Sequence, residues 1–147
     1  KDGFEFFKEH RLMSLMSKAF DEQLLEKGDV KQIEFLASNL ANLIPAQSPV
    51  LIHGDLWSGN VHCDKNGSPC LVDPATYWGW AEAELAMTEL FGSFNREFYE
   101  SYESASNIEK DWRERSPLYN LYHLLNHLIL FGPSYLGQIK SVTERFT

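Results

Sequence analysis

The 147-residue chain has only two cysteines, Cys63 and Cys70, and neither has Cys or His partners at the spacing of a zinc site. A disulfide framework and a structural zinc are thereby excluded. Positive charge is scarce as well, since 13 Lys and Arg face 21 Asp and Glu, a formal net charge of −8. Nucleic acids and anionic membranes are gripped by a basic face that releases counterions, so neither is expected as a partner. No apolar run approaches the roughly 20 residues of a membrane span. No basic head with an apolar stretch and a small-residue cleavage site opens the chain, and the expected location is the cytoplasm.

What the chain does have is core. With 44% apolar and 14% aromatic residues, a single packed domain over 1–147 is expected. The patterning is mainly α with a small β-hairpin, an α+β arrangement. From Asp2, a possible N-cap, to about Phe20, the spacing of Phe4, Phe7, Leu12, Leu15, Met16 and Phe20 predicts a packing helix. Gly28-Asp29 reads as punctuation, followed by a helix with a Val30, Ile33, Leu36, Leu40, Leu43 stripe that stops before Pro45. Residues 46–49 read as a connector rather than a domain boundary.

Beyond residue 80, Glu82 and Glu84 open a further helix, where first-turn acids suit the helix dipole. Residues 94–104 predict another, with Phe94, Phe98, Tyr99 and Tyr102 inward. Residues 108–115, charged around Trp112, read as a solvated helical face. Leu118 to Phe131 is apolar almost all round and predicts a buried central helix. His123 and His127 lie four apart on it, but no metalloprotease motif accompanies them, so they are not read as metal ligands. Gly132-Pro133 ends that helix, and a terminal one follows through Leu136, Ile139 and Val142.

The chain is organised around residues 51–79, LIHGDLWSGNVHCDKNGSPCLVDPATYWG. Val50-Leu51-Ile52 is short and apolar, which predicts a buried strand end delivering His53-Gly54-Asp55 into a loop. Asn66-Gly67 between two short runs predicts a hairpin. With these two as central turn residues, Cys63 falls opposite Cys70, so a cross-strand disulfide is geometrically conceivable. Reduced thiols are nevertheless expected in a cytosolic protein. The hairpin returns Asp73 to the neighbourhood of Asp55 and Asn60.

Two carboxylates and an amide oxygen are hard donors of the kind that hold Mg²⁺ beside substrate phosphates. In the phosphoryl-transfer template, a loop Asp takes the proton of the attacking hydroxyl, an Asn five residues later holds a metal, and an Asp after a hairpin holds the bridging metal. Asp55, Asn60 and Asp73 fit those roles in order. The alternative, that both Asp residues merely cap turns, explains neither the apolar run before each nor their pairing. His53 is expected to brace the loop. Trp57 either stacks on a substrate or fills the wall behind the loop. Gly54 and Gly59 permit close backbone approach. Tyr77, Trp78 and Trp80 either line a substrate mouth or pack the loop onto the helices, packing being favoured for at least two of them.

HGDLWSGN, then LVDPATYWG, then ELAM resembles the fructosamine kinase (ketosamine-3-kinase) family, a branch of the protein-kinase-like superfamily that includes aminoglycoside and choline kinases. FFKEHRL near the start and LLNH with FG later extend the resemblance over nearly the whole chain. It implies the C-terminal lobe of a kinase-like fold, ATP as co-substrate, Mg²⁺ as cofactor, and phosphorylation of a sugar hydroxyl on a ketosamine or other glycated amine. Trp57, Tyr77 and Trp78 stay the candidate substrate contacts, while the resemblance implies that Glu84 supports the catalytic loop and that His10 and Arg11 lie near a substrate-facing end. Trp80 stands where the family carries His, which removes a polar role there.

The glycine-rich G-x-G-x-x-G loop and the Val-Ala-x-Lys strand that cover and clamp phosphates are both missing from the sequence. An N-terminal lobe is therefore expected to be supplied from outside this chain, which alone is expected to be inactive. An aminoglycoside, choline-like or other small-alcohol acceptor, and a catalytically silent scaffold lobe, are the competing expectations.

Overall fold

A computed structural model describes residues 2–147. They form two compact units, one running to Gln47 and resuming at Asn120–Thr147, the other Ser48–Tyr119. The first boundary falls inside the connector 46–49. The second falls within a long helix, between Tyr119 and Asn120.

In the first unit, α1 (Gly3–Phe6), a π-helical stretch (Phe7–Met13) and α2 (Ser14–Asp21) follow without interruption. Asp2 is the N-cap, its Oδ1 accepting the Glu5 N–H at 2.7 Å. The wider π turn bonds i to i+5, which brings Phe7 and Leu12, five apart and both buried, to one face. Helix α3 (Lys27–Ser38) contains Gly28-Asp29 rather than following it. The reason is a capping box, in which the Asp29 carboxylate accepts the Glu26 N–H at 2.9 Å and Glu26 takes the N-cap place. Asn39 breaks the helix, and α4 (Leu40–Leu43) completes the stripe, with Ile33, Leu36, Leu40 and Ile44 buried.

The second unit begins with β1 (Val50–Ile52), paired antiparallel with β4 (Tyr77–Gly79) so that Leu51 faces Trp78 and Ile52 faces Tyr77. Between them, β2 (Val61–Cys63) pairs with β3 (Pro69–Leu71). β1 is not a buried strand: Ile52 is buried, but Leu51 is 62% exposed, because this sheet has two strands and a single covered face. The hairpin register is also one residue off the expected pairing. Asp64, not Lys65, closes the turn, accepting the N–H groups of Asn66 and Ser68 on Oδ1, both at 2.8 Å. Those two bonds hold its carboxyl below the usual carboxylate range. Gly67, at φ 81°, then sits at the left-handed position of a three-residue loop. Cys63 therefore faces Pro69 and Cys70 faces His62, which puts the two sulfurs on opposite faces of the ribbon, and both thiols are free.

Helices α5 (Ala81–Leu90) and α6 (Arg96–Ala105) follow, and then α7 (Trp112–Phe131), which passes through Pro117. Trp112 is fully buried with Leu85 and Tyr99, which corrects the solvated face expected at 108–115. One large ring in a charged stretch is enough to turn that stretch inward, its Nε1–H donating to Glu103 at 3.0 Å. Arg113 bonds the same carboxylate from outside, and together they keep Glu103 below its ordinary pKa.

Back in the first unit, the C-terminal half of α7 buries Leu121, Leu124, Leu125 and Leu128 but leaves Leu130 and Phe131 over 60% exposed. The expected all-round burial thus fails in its last turn. Gly132, at φ 87°, ends the helix, and α8 (Leu136–Phe146) buries Ile139 and Val142. Arg11 lies over the Tyr122 ring at 4.6 Å and donates to its hydroxyl at 2.9 Å, while His10 is exposed. Burial, with the charges of His127 and Arg11 adding to it, pushes His123 down to about 3. His127 Nδ1 bonds the His123 carbonyl at 2.8 Å. Among the described residues, no group of three or more His, Cys, Asp or Glu is placed to hold a metal, and no helix is long and apolar enough to cross a membrane.

Candidate active site

All eight candidate site residues lie in the second unit. The loop after β1 is pinned by Ile52 and Leu56, both buried, which leaves Asp55 between them half-buried at the tip. A short 3₁₀ turn, Ser58–Asn60, then feeds β2.

Gly54 adopts φ 82°, and a Cβ there would lie 2.3 Å from the Ala75 carbonyl oxygen. Only glycine fits that close approach of the two loops. Gly59 serves a different neighbour: the Trp57 indole lies over it, with ring atoms 2.3–2.7 Å from where a Cβ would stand. Trp57 is thereby held against its own loop while staying 37% exposed.

Asn60 is buried, and its amide nitrogen donates both to the Asp55 carbonyl at 2.8 Å and to Asp55 Oδ2 at 3.0 Å. With the nitrogen committed to Asp55, the amide oxygen Oδ1 is turned the other way. The hairpin closes onto the same pair, since the Val72 N–H donates to the Asn60 carbonyl at 3.0 Å. His53 crosses the same gap, its Nε2 lying 2.9 Å from the Val72 carbonyl. A carbonyl only accepts, so Nε2 carries the proton and Nδ1 is left to face the Asp55 N–H at 3.4 Å. Asp73 follows Val72 directly, exposed and in the left-handed region at φ 51°. That conformation is uncommon for a residue with a Cβ, though Asp tolerates it better than most.

Two backbone bonds of Val72, to Asn60 and to His53, thus tie the residue before Asp73 to the loop that carries Asp55 and Asn60. An amide oxygen and a carboxylate make a hard donor set, and Asn60 Oδ1 with Asp73 fits a divalent cation of the Mg²⁺ type.

Glu84, in the first turn of α5, is buried and accepts two backbone N–H groups of the loop, from His53 at 2.6 Å and Gly54 at 2.9 Å. Its charge, after burial itself, raises the pKa of Tyr102. The aromatic residues divide: Trp80 is buried against Tyr119 with ring centroids 6.0 Å apart, Tyr77 is half-buried beside Gly54, and Trp78 is 69% exposed. Trp78 is the one left open.

Sequence reasoning missed the role of Glu82. It is 1% exposed and forms a two-pronged ion pair with Arg115, Oε2 to Nε at 2.8 Å and Oε1 to Nη2 at 2.7 Å. The Tyr119 hydroxyl donates to the same carboxylate at 2.8 Å. Bonds to Glu82, then to Asp111, hold the guanidinium above its ordinary pKa despite burial. The only sequence signal was an Arg next to a buried-helix pattern, with its partner 33 residues away.

Comparison with known proteins gives the family of the chain. The fructosamine kinase family model matches residues 1–147. A "Probable ketoamine kinase" of Enterococcus faecium is 40% identical over 99% of this chain and 53% of its own length. The chloroplastic protein-ribulosamine 3-kinase of Oryza sativa subsp. japonica is 38% identical over 99% of this chain and 42% of its own. A crystal structure from Thermobifida fusca, with a provisional assignment as a fructosamine-3-kinase, superposes with a TM-score of 0.90 at 34% identity, covering 98% of this chain and 50% of that one. The chain spans about half the length of the curated relatives it matches. On these matches, and on the kinase-like fold they share, the chain belongs to the fructosamine kinase family.

Proposed function

We propose that this chain supplies the catalytic-loop lobe of an ATP-dependent kinase that phosphorylates a sugar hydroxyl on ketosamines, with Asp55 as base and Asn60 and Asp73 on Mg²⁺. The observation that carries it is the double hydrogen bond from the Asn60 amide to Asp55. It fixes one carboxylate oxygen of Asp55 and leaves Oδ1 of that residue for an incoming hydroxyl. Asp55 thereby orients the acceptor and takes its proton. Mg²⁺ held by Asn60 and Asp73 would neutralise charge that develops during transfer. Trp57, pinned over Gly59, and Trp78, open to solvent, offer ring faces to the sugar, with Tyr77 beside them.

Residues 1–147 act as one lobe in this account. A separate N-terminal lobe covers the phosphates, so the chain alone does not turn over. The substrate class follows the names of its relatives, a ketoamine kinase and a ribulosamine 3-kinase. Two exposed free thiols and the need for ATP suit the cytoplasm.

The test is phosphorus NMR of Mg-ATP with a ketosamine panel, using the full-length protein and this chain alone. A sugar-phosphate signal in the full-length protein only is expected. Signal with aminoglycosides or choline-like alcohols instead would reassign the acceptor, and no signal with any alcohol would leave a scaffold lobe.

A further inference from the structure

The first turn of α5 carries two buried carboxylates that leave the helix in different directions. Glu82 and Glu84 are two residues apart, roughly 200° around the axis at 3.6 residues per turn. One reaches the catalytic loop through the His53 and Gly54 N–H groups. The other is gripped by the Arg115 fork and the Tyr119 hydroxyl, both on α7. Trp80, the N-cap of α5, packs against the same Tyr119. The end of α5 that braces the loop is thus held to α7 through Glu82.

We propose that Arg115 is a positioning residue for the catalytic loop, fixing the first turn of α5 through Glu82 so that Glu84 holds His53, Gly54 and hence Asp55 in place. Arg115 touches neither loop nor substrate; it acts at one remove. The fork matters more than the charge, because two parallel N–H···O bonds fix an orientation that a single ammonium contact leaves free to rotate. The Arg115 side chain is itself anchored by Asp111, the residue just before α7, at 2.9 Å. A small rotation of α5 about its axis would move the Glu84 carboxylate away from two N–H groups at once.

The kinetic arm of the test rests on the function proposed above and uses the full-length protein. Arg115→Lys keeps a positive charge beside Glu82 and removes the fork. The expected result is a fall in kcat of about tenfold with KM for ATP and acceptor within about twofold, since alignment rather than binding is lost. Because the line runs through Glu84, the same substitution in a Glu84→Gln background should lower kcat no further. A purely structural role predicts independent losses that multiply, and that outcome, or an unchanged kcat, overturns the proposal. If Arg115→Lys does not fold, Tyr119→Phe removes one bond to Glu82 and should show the same non-multiplying pattern on a smaller scale.

A second arm does not depend on activity. Amide hydrogen exchange in Arg115→Lys should speed up at His53 and Gly54 by about tenfold while α3 amides are unchanged. Exchange at those two amides equal to the unaltered protein would overturn the positioning role, even if no acceptor were ever phosphorylated.

Discussion

The Glu84 carboxylate takes both the His53 and Gly54 N–H groups, one on each oxygen, at 2.6 and 2.9 Å. A charged acceptor on two adjacent backbone donors makes the entry to the loop after β1 rigid, and the loop's other end is tied down by Asn60 on Asp55. Glu84→Gln replaces one acceptor oxygen with a donor that faces an N–H. We expect a loss of about 2 kcal/mol in urea unfolding, the scale of a buried hydrogen bond to a charged group. Unchanged stability would contradict the brace.

Gly54 sits in the left-handed region with the Ala75 carbonyl where its Cβ would be. Backbone strain and overlap act together, so Gly54→Ala should cost on the order of 3 kcal/mol. Gly67→Ala is the control, because its φ is equally positive but nothing lies within 4 Å. It should cost about 1 kcal/mol, since only the left-handed backbone is strained there. Equal losses in thermal unfolding would mean that the Ala75 contact does not matter.

Trp112 is buried among Leu85 and Tyr99, with Phe94, Phe98 and Tyr102 packed around them. Trp112→Ala should lower stability by about 3–5 kcal/mol, the range for deleting a large core ring. A loss under about 0.5 kcal/mol, typical of a surface site, would return residues 108–115 to the solvated face that their charge suggests.

His123 resists protonation in the folded chain, its pKa pushed from 6.5 to about 3 by burial, with His127 and Arg11 adding to it. Below 6.5 the unfolded chain takes up a proton that the folded chain refuses, so stability is lost as pH falls towards 3, by at most about 1.4 kcal/mol per pH unit. Urea midpoints of the unaltered chain and of His123→Gln, compared from pH 7 to pH 4, isolate this effect from carboxylate titration. Parallel curves would show that His123 titrates normally.

Much of the candidate site's layout was legible because its information is local. Asp55, Asn60 and Asp73 lie within one strand–loop–hairpin, and both glycines that allow the loop approaches sit beside them. The hairpin register was off because the expected turn counted only backbone partners, whereas Asp64 uses its carboxylate to close a longer loop. The Glu82–Arg115 pair was not legible, since its partners are 33 residues apart and acids in a helix's first turn usually face water. Trp112 was hidden for a related reason: average charge over a segment says little about where one indole points. The π-helical stretch at Phe7–Met13 left a trace in the five-residue step from Phe7 to Leu12, which a strict α pattern does not explain.

The most direct test of the central claim is steady-state phosphoryl transfer to a ketosamine by the full-length protein carrying Asp55→Asn, with folding checked by circular dichroism. Asparagine keeps the shape but removes the proton acceptor. The expected result is a fall in kcat of about 10²–10⁴-fold with the fold intact. Turnover within a few-fold of the unaltered protein would remove Asp55 as the base and with it the assigned chemistry of this loop.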